Sequence, residues 1–94
     1  MTNSPEKFKV APEVRWVVER RGLLLVKGSQ KHLHIEYPQA AVWDLVSRGY
    51  RLPVAVRMLA HIATLDEPDA ERLLLESLHE WFAMGFLVRE ENHG

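Results

Sequence analysis

The chain has 94 residues, of which 47% are hydrophobic, and its 12 basic side chains nearly balance 13 acidic ones. This length allows one domain with a modest core, and the composition favours folding over disorder. The near-neutral charge gives no electrostatic case for a general nucleic-acid or anionic-membrane binder. The lack of cysteine excludes disulfide bonds, thiol catalysis and cysteine-based zinc sites. Since MTNSPEKFKV lacks the apolar core of a signal peptide and no apolar run could span a bilayer, we expect a cytoplasmic protein.

Three strands are predicted in the first half of the chain, after a loosely ordered segment at residues 1–11. Alternation of apolar and polar side chains is the period of a half-buried strand. VRWVVER (14–20) and KHLHIEY (31–37) show this alternation, and the apolar run GLLLVKG (22–28) is predicted to form the strand between them. The short turns between them contain glycine, which favours an antiparallel meander.

The third predicted strand, residues 31–37, carries one polar face. Leu33 and Ile35 alternate with His32 and His34. We expect the two apolar residues to face the core and the two histidines to face solvent. A strand of this kind is either an ordinary amphipathic edge strand or a place where another chain docks.

Three helices are predicted after the strands. Pro38 suits a first helical turn, and Gly49 is a suitable C-terminal stop for that helix. Pro53 opens the second helix. Asp66 is a good N-cap for the third, which we expect to end at Gly85.

The third helix has an apolar arc that is too wide for a single core. A surface helix needs an apolar stripe of about 100°, whereas this arc is nearer about 200° on a helical wheel. Leu73 and Met84 lie on one edge of the arc, and Leu75 and Phe82 lie on the other. The helix is therefore either covered on both sides or borders an apolar groove at the surface.

Most of the chain, from Pro12 to Val88, resembles the PqqD family of small peptide-binding domains, which are called RiPP recognition elements. The resemblance rests on the order and spacing of GLLLV, LHIEYPQAAVWDLVSRG, VAVRMLAHIA and PDAERLLLESLHEWFAMGFLV. It implies an α+β, winged-helix-like fold with a three-stranded antiparallel N-terminal sheet followed by three helices. The domain would span residues 12–89, and residues 90–94 would form a tail.

The family resemblance also implies a function. The chain would be a non-catalytic peptide chaperone that binds the leader region of a ribosomally made precursor peptide and presents it to a peptide-modifying enzyme, for example a radical-SAM enzyme. The leader would add a strand to residues 31–37, in the cleft between that strand and the last helix. No cofactor is implied, and the chain would act as a monomer or homodimer.

Twelve residues form the predicted peptide-binding site, seven on the third strand and five on the last helix. They are Lys31, His32, Leu33, His34, Ile35, Glu36, Tyr37, Arg72, Leu75, Leu78, His79 and Phe82. We choose Leu75 and Phe82 for the apolar wall because a single core should leave their edge of the helix uncovered. Leu73 and Met84 are the rival pair.

Other functions have weaker support from the residues. A winged-helix DNA-binding regulator is the main alternative, but the middle helix carries only Arg57 and the strands precede all the helices. A plain dimerisation module would use the same apolar helix edge. His32 and His34 lack the spacing of a metal site, and no catalytic constellation or phosphate-binding loop is present.

Overall fold

The computed structural model describes residues 8–89 of the chain. Eight elements follow one another. They are β1 (Phe8–Val10), β2 (Val14–Glu19), β3 (Gly22–Lys27), β4 (Lys31–Glu36), α1 (Gln39–Ser47), α2 (Leu52–Ala63), α3 (Glu67–Met84) and β5 (Leu87–Arg89).

The larger sheet contains the three predicted strands in the order β2-β3-β4, all antiparallel. β2 and β3 are joined by a two-residue turn that Glu19 and Gly22 flank as a pair. Lys27 and Lys31 pair in the same way across the turn between β3 and β4. The sheet precedes three helices, as the sequence predicts. The expected α+β fold with an N-terminal antiparallel meander is confirmed.

A second, two-stranded sheet joins the two ends of the described chain. β1 pairs with β5 in antiparallel register, with Phe8 opposite Arg89 and Val10 opposite Leu87. The amide of Ala11 continues this connection by donating to the carbonyl oxygen of Phe86 at 3.0 Å. Residues 8–10 thus form a strand within the segment that we expected to be loosely ordered, while residues 1–7 and the tail at residues 90–94 lie outside the described residues.

The helix ends follow the predicted chemistry. Gly49 and Gly85 adopt φ values of 84° and 87°, the left-handed conformation that glycine provides at a helix C-terminus. Thr64 ends α2 in the same region at φ 55°. Asp66 occupies the N-cap position of α3, although its side chain makes no capping hydrogen bond.

Contacts among three tryptophan rings connect the sheet to the helices. The ring of Trp16 on β2 meets that of Trp43 on α1 edge-to-face, with centroids 5.5 Å apart. Trp43 meets Trp81 on α3 in the same way at 5.2 Å. Because Trp43 and Trp81 are fully buried, α1 is fixed between the sheet and the last helix.

Candidate functional site

The outer edge of β4 has no strand beside it among the described residues. β3 pairs with one side of β4, and the sheet order β2-β3-β4 ends there. An edge strand leaves alternate backbone N–H and C=O groups without a partner in the sheet. β4 can therefore accept a further strand.

The direction of one carbonyl group identifies which residues of β4 face the open edge. A Cβ atom at Gly22 would collide with the carbonyl oxygen of Ile35, so this oxygen points towards β3. Backbone groups of successive residues in a strand point to opposite sides. The N–H and C=O groups of His32, His34 and Glu36 are therefore directed away from β3, towards the open edge.

The side chains of β4 divide between the core and solvent as the alternation predicts. Ile35 is buried, and Leu33 is half-buried against the core. His32, His34 and Glu36 are exposed on the opposite face of the sheet. Nδ1 of His34 lies 3.1 Å from a carboxylate oxygen of Glu19 on β2, so that this pair crosses the outer face of the sheet above β3.

Two hydrogen bonds connect the ends of β4 to the last two helices. Nζ of Lys31 donates to the carbonyl oxygen of Met84 at 2.8 Å, which ties the start of β4 to the end of α3. The hydroxyl of Tyr37, which is 59% exposed, donates to the carbonyl oxygen of Ile62 at 3.0 Å, near the end of α2. β4 itself packs on α1, as does α3. α1 thus lies beneath both β4 and α3, and α3 extends towards the Lys31 end of the strand.

The five predicted residues of α3 have different environments. Leu78 is buried in the core, and Leu75 is half-buried against it. Arg72 and His79 are exposed, and Arg72 donates to the carboxylate of Asp69 at 3.1 Å. Of the five, only Leu78 has no surface to offer to a partner.

Phe82 is the large apolar side chain that α3 exposes most, at 42%. Its ring meets Phe8 of β1 edge-to-face at 5.7 Å, and the guanidinium carbon of Arg89 on β5 lies 5.6 Å from its centre. Phe82 therefore borders the small sheet as well as solvent. The sequence pattern did not reveal this neighbourhood, because it depends on the pairing of β1 with β5.

A basic cluster at the end of α3 was also missed from the sequence. Nζ of Lys27 lies 2.8 Å from the position that a Cβ atom at Gly85 would occupy, and Nζ of Lys31 lies 3.8 Å from it. Two ammonium groups beside the last carbonyl groups of a helix complement the negative end of its dipole. A cavity of about 370 Å³ opens beside them, lined by Glu13 and residues 27–31.

Neither a metal centre nor a membrane span emerges from the described part of the chain. Between residues 8 and 89, no three histidine or acidic side chains converge as metal ligands. None of the helices in that range has the length and apolarity to cross a bilayer.

The fold and the open edge define a class of small α+β domain in which a three-stranded meander presents a free strand to one side of a helical layer. Neither a protein-family model nor a curated protein sequence matches the chain. Among solved structures, the chain is similar to TbiB1 in complex with the TbiA(beta) leader peptide, with a TM-score of 0.80 and 18% sequence identity. The similarity covers 89% of this chain and 99% of TbiB1. The fold implied by the PqqD resemblance is thereby confirmed.

Proposed function

We propose that this chain is a non-catalytic peptide-binding protein that captures the leader region of a ribosomally made precursor peptide and presents it to a modifying enzyme. The open edge of β4 is the observation that carries the proposal. It occurs in a fold shared with TbiB1, a protein whose structure was determined with a leader peptide bound. Binding would proceed by strand addition, in which backbone pairing supplies affinity and side-chain pockets supply specificity.

The bound peptide would pair with the backbone groups of His32, His34 and Glu36. Exposed histidines beside these groups can donate hydrogen bonds to acidic side chains of the peptide. The side chains on the core face of β4 are already packed, so Leu33 and Ile35 would contribute through the shape of the strand and not through direct anchoring.

The apolar wall of the site would be the edge of α3 that carries Leu75 and Phe82. The exposure of Phe82 supports this choice, because a ligand that covers a partly exposed apolar ring lowers the free energy of the complex. Arg72 and His79 lie exposed on the same helix and would contact polar groups of the peptide. The hydrogen bond from Lys31 to Met84 would keep the end of this wall close to the start of β4.

The partner enzyme would be one that modifies the core region of the same precursor, such as a radical-SAM enzyme. The DNA-binding alternative is not favoured, since the three strands of the larger sheet precede the helices and α2 carries a single arginine, Arg57.

Titration of the ¹⁵N-labelled protein with a synthetic leader peptide tests the proposal. The peptide should be taken from a short precursor gene beside the gene for this chain, and a scrambled peptide of equal composition is the control. We expect amide shift changes at residues 31–37 and 69–84, together with slowed hydrogen exchange at His32, His34 and Glu36. Shifts confined to other regions, or no shifts with any neighbouring precursor, would contradict peptide capture at β4.

A further inference from the structure

β2 forms the opposite edge of the larger sheet, and this second edge is also open among residues 8–89. Three consecutive hydrophobic residues on it are exposed: Trp16 by 40%, Val17 by 57% and Val18 by 78%. They project alternately from the two faces of the sheet, so apolar surface lies on both sides of the edge. No other strand of the protein exposes as much apolar surface within the described residues.

Monomeric proteins protect an open edge with lysine, proline, a bulge or an inward-pointing charge. β4 follows this rule, since Lys31, His32 and Glu36 are exposed along it. β2 contains neither lysine nor proline, and it pairs with β3 without a bulge from Val14 to Glu19. Its two exposed charges, Arg15 and Glu19, have opposite signs, so a second strand that brings them together would pair them. An open, regular and apolar edge of this kind is suited to pairing with another strand.

The backbone of β2 restricts the registers in which it could pair with a second strand. Glu19 and Gly22 flank a two-residue turn, and in such hairpins the flanking residues exchange hydrogen bonds. Arg15, Val17 and Glu19 therefore direct their backbone groups to β3, whereas Trp16 and Val18 direct theirs to the open edge. A self-pairing of β2 must match outward-directed residues with each other.

The charges on β2 select one of the remaining registers. In an antiparallel pair with Val17 on the twofold axis, Trp16 hydrogen-bonds with Val18 of the second copy, and Arg15 faces Glu19 of the second copy. Arg15 and Val17 then occupy non-hydrogen-bonded positions, where facing Cα atoms are only about 4.5 Å apart. The register centred on Trp16 would instead place Glu13 opposite Glu19, and the register centred on Val18 would place Arg15 opposite Arg21, so each would bring like charges together.

We propose that β2 is a homodimerisation edge, through which two copies of this chain form a continuous six-stranded antiparallel sheet. Val17 packs against its own symmetry mate, and two Arg15–Glu19 ion pairs flank it. The two β4 strands lie at the far ends of this sheet, so their open edges stay available. The interface is isologous, as expected for a twofold dimer.

Sedimentation equilibrium of the full chain over a wide concentration range tests this proposal. We expect a reversible monomer–dimer equilibrium. Val17→Lys should raise the dimer dissociation constant at least about tenfold, because it places two like charges face to face on the axis. The matched control is His32→Lys, which puts the same charge on the same face of the sheet but on β4, two strands away from the β2 edge, and it should leave dimerisation unchanged.

A charge exchange distinguishes this register from any other apolar contact. Arg15→Glu and Glu19→Arg should each weaken the dimer, and an equimolar mixture of these two variants should dimerise again. Since Glu19→Arg also removes the contact with His34, His34→Ala is its control and should dimerise normally. A chain that remains monomeric at millimolar concentration, or a dimer that resists both Val17→Lys and the charge changes, would overturn the proposal.

Discussion

The ammonium group of Lys31 donates a hydrogen bond to the carbonyl oxygen of Met84 at 2.8 Å, and this bond joins the first residue of β4 to the last residue of α3. The two residues are 53 positions apart in the chain. The contact is exposed, so its importance lies less in stability than in fixing the distance between the open strand and the end of the helix beside it.

Lys31→Met tests this role. We expect the free energy of unfolding to fall by no more than about 1 kcal/mol, because the lost hydrogen bond is exposed to water. Amide exchange at Gly85 and Phe86 should become faster, since the last turn of α3 loses a connection to the sheet. Hydrogen exchange measured by NMR gives both quantities. Lys9→Met is the control on an exposed position of β1, and an equal change in exchange at the end of α3 in that variant would contradict the assignment.

A matched pair of substitutions at His34 separates backbone pairing from side-chain recognition. His34→Pro removes the N–H that points to the open edge and leaves the pairing of β4 with β3 intact, since proline is tolerated on such edges. His34→Ala removes only the imidazole and its contact with Glu19.

If the leader peptide adds a strand to β4, His34→Pro should weaken its binding about tenfold. This factor corresponds to about 1.4 kcal/mol, which is the loss expected for one backbone hydrogen bond. His34→Ala should change the affinity much less. Isothermal titration calorimetry measures both. Equal losses in the two variants would assign the contact to the imidazole and would argue against strand addition.

Much of the fold could be predicted because its signals are local. Alternation identified β2 and β4, and an apolar run between two glycine-containing turns identified β3. Gly49 and Gly85 marked two helix ends through the left-handed conformation that they adopt. The pairing of β1 with β5 carries no comparable signal. Each of these strands has three residues, and they come from opposite ends of the chain, so only the folded protein brings them together.

The candidate site was harder to predict than the fold for a related reason. The open edge of β4 follows from the strand order, which a meander makes easy to anticipate. The hydrogen bonds of Lys31 and Tyr37 join residues that are distant in sequence, and no pattern in the chain indicates them. A helical wheel placed Phe82 at the edge of the apolar arc of α3 but could not identify its neighbours.

The wall of the proposed peptide site can be assigned by two substitutions on opposite edges of α3. Phe82→Gln should weaken leader-peptide binding about tenfold, because it removes an exposed aromatic surface that the peptide would cover. Leu73→Gln, on the other edge, should change the affinity less than about twofold. Circular dichroism should first show that this variant is folded. The reverse order of effects would move the wall to the edge that carries Leu73 and Met84.

Ser77 provides a test of the core that does not depend on peptide binding. Its side chain is fully buried on α3, and its hydroxyl has no hydrogen-bond partner. A buried hydroxyl without a partner costs about 1–3 kcal/mol, and alanine is also the better helix former. Ser77→Ala should therefore raise the free energy of unfolding by about 1 kcal/mol in urea denaturation.

Ser47→Ala is the control. It removes a hydroxyl that donates to the carbonyl oxygen of Asp44 at 2.9 Å, so it should give no such gain. A loss of stability in Ser77→Ala would indicate that the hydroxyl is satisfied in solution and that the packing of α3 differs around it.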